Sequence, residues 1–150
     1  MTDSSAVDLD RDEVDAFLGT GGTGVLSFAA GVDQPPYAMP VSYGYDATDR
    51  TFYLRLGFVD GSDKRSYVEE DRPVSLTVHD ETEDSGWHSV VATGSLEEVT
   101  DADIGSNAMQ GLGRVEIPLL DIFERPDEEV GFRFFRLDPD TLSGRGEHPR

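Results

Sequence analysis

Apolar positions in this chain fall in short runs bounded by turns. Residues 51–56 alternate cleanly: Phe52, Leu54 and Leu56 point one way and Thr51, Tyr53 and Arg55 the other, the period of a half-buried strand. Residues 73–79 put Val74, Leu76 and Val78 on one face, and residues 131–137 read Gly-Phe-Arg-Phe-Phe-Arg-Leu. Further strands are predicted at 23–29, 37–45 and 87–99, the last with Gly94 marking a bend or a close approach. Pro40 inside the second of these runs predicts an edge position or a bulge, because proline cannot donate to a ladder.

A helical period is clearest near the start. Asp10 can cap, Glu13 supplies the other half of a capping box, and Leu9 and Val14 fall at hydrophobic-staple positions. Val14, Phe17 and Leu18 give one apolar face, and Gly19 ends the helix. Shorter helices are predicted at 62–70 with Ser62 as cap, near 101–110 and near 118–124. Residues 1–9 read as a flexible N-terminus, 10–140 as one domain and 141–150 as a turn-rich C-terminal tail. Antiparallel strands with short helices between them imply a mainly β, α+β barrel or sandwich.

Composition narrows the chemistry. The 150 residues, 37% hydrophobic with 8 Phe, suffice for one sizeable core. No cysteine is present, which excludes disulfides, thiol nucleophiles and thiolate metal sites. His79, His88 and His148 show no paired ligand spacing, so no metal is expected. A net charge of -19 disfavours nucleic acid and anionic membranes as partners. No stretch is apolar enough to span a bilayer and no signal peptide is evident, so a cytoplasmic protein is the default expectation. The acids are dispersed and Lys64 is the only lysine, the surface expected of a halophilic protein whose self-repulsion is screened by concentrated salt.

That single lysine sits in Gly61-Ser62-Asp63-Lys64-Arg65. Small residues let the backbone approach an anion, Ser62 opens a helix whose first N–H groups are unpaired, and two adjacent cations offset negative charge. The run therefore reads either as a phosphate site or as a solvated turn. Gly19-Thr20-Gly21-Gly22-Thr23-Gly24 resembles a phosphate loop in composition, but it follows a helix and precedes a strand, the reverse of the order such a loop requires.

The order of motifs is Thr-Gly-Val-Leu-Ser, then Pro-Tyr-Ala-Met-Pro-Val-Ser-Tyr-Gly-Tyr, Thr-Phe-Tyr-Leu-Arg-Leu, Gly-Ser-Asp-Lys-Arg, Arg-Pro-Val-Ser-Leu-Thr-Val, and Trp-His-Ser-Val-Val-Ala-Thr-Gly-Ser-Leu-Glu-Glu-Val, closing on Phe-Arg-Leu-Asp-Pro-Asp. It resembles the pyridoxamine 5′-phosphate oxidase-like FMN-binding split-barrel proteins over about residues 10–140. The resemblance implies a six-stranded antiparallel split β-barrel with short flanking helices, a homodimer, and FMN in a groove between subunits. It matches Arg55, Ser62 and Lys64, assisted by Arg65, to the phosphate positions. Pro40, Val41, Ser42 and Tyr43 match the strand whose backbone lies along the flavin ring, and Trp87 and Ser89 match positions that approach the flavin, often from the partner subunit. Trp87, Tyr43 and Phe58 are further expected to need a second subunit to cover them.

The implied function is a flavoprotein oxidoreductase acting on a small-molecule redox substrate. The true oxidase reads its substrate's phosphate with arginines on strand five and at the C-terminus. Residues 90–94 here carry none and the tail does not match, so a vitamin B6 oxidase is not expected. A reductase using the deazaflavin F420 on the same fold, and a non-catalytic flavin- or haem-binding module, remain open.

Overall fold

The computed structural model describes residues 6–58, 72–84, 86–99 and 131–147. They form one helix, α1 (Arg11–Leu18), and nine strands: β1 (Ala6–Asp8), β2 (Gly21–Phe28), β3 (Tyr37–Asp46), β4 (Thr51–Phe58), β5 (Val74–Thr82), β6 (Gly86–Gly94), β7 (Leu96–Val99), β8 (Gly131–Leu137) and β9 (Thr141–Glu147). The strands make one antiparallel sheet in the order β1-β9-β6-β5-β2-β3-β4-β8-β7, curled into a split half-barrel. Its interior is filled by alternate residues of β2, β3, β4, β5, β6 and β8, among them Leu26, Val41, Tyr43, Phe52, Leu54, Leu76, Val90 and Phe135. Among the described residues no helix is long and apolar enough to cross a membrane.

The capping box forms as the sequence predicts: Glu13 N–H donates to Asp10 Oδ1 at 2.8 Å and Asp10 N–H to Glu13 Oε1 at 3.1 Å. Val14 and Leu18 are buried, Gly19 at φ 60° ends the helix, and Leu9 packs against the core. Each fully buried apolar side chain contributes about 1.5–3 kcal/mol, so two of them outweigh the weak intrinsic stability of an eight-residue helix. Two tyrosines tie α1 down. Tyr43 Oη donates to the Leu18 carbonyl at 3.2 Å, and Tyr45 Oη donates to Asp15 Oδ1 at 2.6 Å. The two rings lie 5.8 and 4.9 Å from that of Phe52.

Several expectations are corrected. The stretch 87–99 is two strands, broken at Ser95, because β6 pairs with β5 and β9 while β7 pairs with β8. Pro40 lies in a strand that is interior to the sheet, yet its own position is a local edge among the described residues, as proline's missing N–H predicts: it pairs with Val25 on β2, and the registered ladder to β4 begins only at Ser42. Residues 6–8 and 141–147, expected as a flexible terminus and a turn-rich tail, are strands that pair with each other. Gly144 in β9 lets Val14 and Leu9 pack against the strand, since a Cβ there would come within 2.9 Å of the Val14 side chain and 3.0 Å of the Leu9 side chain and push them aside. The helices predicted at 62–70, 101–110 and 118–124 lie outside the described residues.

Candidate functional site

Strand register collects one row of side chains on the face away from the barrel interior. Thr23 on β2 stands opposite Ser42 on β3, Ser42 opposite Arg55 on β4, and Arg55 opposite Phe134 on β8. Residues paired directly across an antiparallel ladder share a face, so these four are neighbours. Ser42 is 3% exposed and its hydroxyl has no hydrogen-bond partner, a defect costing about 1–3 kcal/mol when the group stays buried. Arg55 is half-buried and Phe134 is exposed. The next row along the sheet is more apolar: Pro40, Val25, Thr77, Val91 and Ser143, with Pro40, Val25 and Val91 exposed.

Charged pairs hold the β7–β8 edge on both sides of the sheet. On the side of the core residues Leu56 and Phe135, Arg133 holds Glu98 through two bonds of 2.6 and 2.7 Å, with its guanidinium 5.3 Å from the centre of the Phe135 ring. This contact keeps the Glu98 carboxyl below its ordinary range. Arg136 pairs with Glu97 at 3.1 Å and lies 3.7 Å from Asp138. Tyr53, in register with Arg136, is buried on this outward face; desolvation, then the charge of Asp46, pushes its phenol up.

Pro40 lies exposed in the neighbouring row, and the other sequence-predicted site residues divide into four groups. Ser42 and Arg55 come together. Val41 and Tyr43 point the other way, into the core, leaving only their backbone for the role that the resemblance implies. Tyr43 is 2% exposed beneath α1, so it needs no second subunit to cover it, and burial pushes its phenol up to about 12. Trp87 and Ser89 lie on the outward face of β6, opposite Glu81 and His79. Two strands, β5 and β2, separate them from β3, about 14 Å along the sheet. Ser62, Lys64 and Arg65 lie outside the described residues, and of Phe58 only the backbone pairing is described. The sequence reading missed Thr23 and Phe134 as neighbours of the pair, since only the register reveals them. Among the described residues no group of three His, Cys, Asp or Glu could hold a metal ion.

The model of the family described as pyridoxamine 5′-phosphate oxidase matches residues 10–146. The chain belongs to that family. No curated protein matches it. Solved structures share the family fold. An FAD-binding protein from Mesorhizobium loti is 24% identical, with 93% of this chain and 96% of that one covered and a TM-score of 0.65. The FAD-binding protein of Mycobacterium smegmatis is 18% identical over 94% of this chain and 98% of its own, also with a TM-score of 0.65. The FAD- and haem-binding protein of the same organism is 14% identical over 97% and 75%, with a TM-score of 0.61. At these identities the likeness establishes the fold.

Proposed function

We propose that this family member binds FMN and works as an oxidoreductase in a homodimer. The observation that carries the reading is the Ser42 hydroxyl, buried without a partner and in direct register with Arg55. A buried hydroxyl lacking a hydrogen bond fits a group that a ligand satisfies. An arginine beside it presents a planar fork suited to phosphate oxygens. The FAD-binding proteins of like fold support a flavin, and make FAD the alternative nucleotide to distinguish.

In this reading Arg55, with Ser62, Lys64 and Arg65, neutralises the phosphate. Ser42 donates a hydrogen bond that orients the ring along Pro40–Tyr43, and the apolar row of Pro40, Val25 and Val91 keeps water from it. A bound flavin supplies the hydride-accepting and hydride-donating centre, chemistry that no side chain of this protein offers. The distance of Trp87 and Ser89 from Ser42 and Arg55 supports a site shared by two copies, each lending its β6 face to the other's β3–β4 face. The lack of arginine in residues 90–94 supports a substrate other than a vitamin B6 phosphate.

The test is a flavin titration followed by fluorescence quenching, with FMN, FAD and riboflavin in parallel. FMN should bind tightest. Arg55→Ala should weaken FMN by roughly ten- to a hundredfold, the worth of one charge-assisted contact, and barely alter riboflavin. Absence of binding by all three flavins, or an Arg55→Ala protein that binds FMN as the parent does, overturns the proposal.

A further inference from the structure

The rows around Ser42 differ in charge from the rest of the chain. Of 150 residues 31 are acidic, yet the row of Thr23, Ser42, Arg55 and Phe134, extended by Val99 on β7, holds no carboxylate. The row on one side of it, through Pro40, Val25, Thr77, Val91 and Ser143, holds none either. On the other side Gly21, Gly44 and Tyr53 lead to Arg136 before an acid is reached, and that acid, Glu97, is bound to Arg136. Among the described residues of this face, the acids nearest Ser42 are Asp46, about 13 Å along β3, and Glu97, about 14 Å across the sheet.

Within this acid-free patch stands the Ser42 hydroxyl, buried and without a hydrogen-bond partner. A buried O–H held by its strand is a fixed dipole. It favours any acceptor brought to it, and a charged acceptor about twice as strongly as a neutral one. Arg55 puts a positive charge on the next strand, in direct register. The net charge of -19 does not oppose the two at close range, because salt at 1 M screens exposed charges beyond about 3 Å. The neighbouring groups therefore set the electrostatics of the patch, and they favour negative charge.

We propose, resting on the flavin reading of this site, that it binds the reduced ring more tightly than the oxidised one, and that Ser42 is the residue that distinguishes the two. The oxidised ring is neutral. Uptake of two electrons and one proton leaves it with one negative charge, spread over its nitrogen and carbonyl acceptors. The Ser42 hydrogen bond and the attraction of Arg55 both strengthen with that charge, and no neighbouring carboxylate of the described residues offsets the gain. Ser42 thus raises the reduction potential of the ring as well as orienting it.

The test is a pair of anaerobic calorimetric titrations of the full chain, one with oxidised FMN and one with FMN reduced by dithionite. Reduced FMN should bind the parent at least about tenfold more tightly, which for a two-electron couple places the potential of the bound ring about 30 mV or more above that of free FMN. Ser42→Ala should lose about tenfold in affinity for reduced FMN and less than about threefold for oxidised FMN. The flavin-free Ser42→Ala chain should unfold in urea no earlier than the parent, since the substitution removes a buried group that has no partner. A merely structural hydroxyl would instead lower that midpoint and weaken both forms of FMN alike, which overturns the proposal. Equal affinity of the parent for the two forms overturns it as well, and leaves flavin binding standing. A parent that binds FMN in neither form overturns the flavin reading itself.

Discussion

Raising the pH should unfold this protein through its buried tyrosines. The phenols of Tyr43 and Tyr45 stand at about 12 in the fold against an ordinary 10.0. Burial is the cause at Tyr43; at Tyr45 burial acts first, and the hydrogen bond to Asp15 adds to it. An acid whose pKa rises on folding favours the fold while it is protonated. That contribution is complete below about pH 10 and is lost as the pH climbs toward about 12. A rise of about two units at about 1.4 kcal/mol per unit gives about 2.7 kcal/mol for each phenol and about 5 kcal/mol for both. Stabilities of domains this size run at about 5–15 kcal/mol, so the loss is decisive. Urea melts followed by far-UV circular dichroism at about pH 9, 10.5 and 12 should show the midpoint falling steeply above about pH 10. Tyr45→Phe should start less stable by about 1.5–3 kcal/mol, for the lost bond to a carboxylate, and should show a shallower alkaline decline. The reasoning fails if the parent midpoint holds steady to about pH 12. It fails equally if phenolate absorbance rises with a midpoint near 10 while the circular dichroism stays native.

Gly24→Ala should destabilise by about 1–3 kcal/mol in the same urea assay, because the new Cβ would sit 2.7 Å from the Thr77 carbonyl oxygen, a backbone atom with little room to yield; an unchanged midpoint would show that the two strands can part there without cost. Light scattering in molar salt should give about twice the 16.4 kDa chain mass, and dilution of the salt should lower the thermal midpoint as 31 acids lose their screening; a monomer in molar salt, or melts indifferent to ionic strength, would count against the shared site and the salt-adapted surface respectively.

Local signals carried the parts of the fold that local physics decides. The capping box of Asp10 and Glu13, the stop at Gly19 and the alternation of residues 52–56 each contain their own explanation, and the sequence reading located them closely. β9 was missed because Thr-Leu-Ser-Gly-Arg-Gly-Glu has little strand character of its own; its glycines answer to Leu9, Val14 and His88, which only the folded chain brings near. Gly94 marked the bend or close approach next to Ser95, and an added Cβ there would come within 3.0 Å of Leu137, but only pairing with different partners divides residues 87–99 into two strands. Arg55 and Ser42 could be singled out one at a time, and the resemblance pointed to both. Their adjacency depends on the β3–β4 register, which no local pattern encodes. Tyr43 shows the opposite failure: an aromatic in a motif strand looked like a surface feature, yet alternation with Ser42 turns it inward to hold the helix.

The outermost ladder of the sheet joins residue 6 to residue 147. Such a contact closes nearly the whole chain into a loop, so its entropic cost falls due only after most of the barrel is built. β1 is three residues long and adds few contacts of its own, which makes it a late-closing latch on a structure already formed. When that latch opens, the hydrogen-bonding edge of β9 is bared, and a bare edge is a template for another strand. Residues 6–8 thus cover an edge that bears on assembly, although they lie far along the sheet from the Ser42–Arg55 pair.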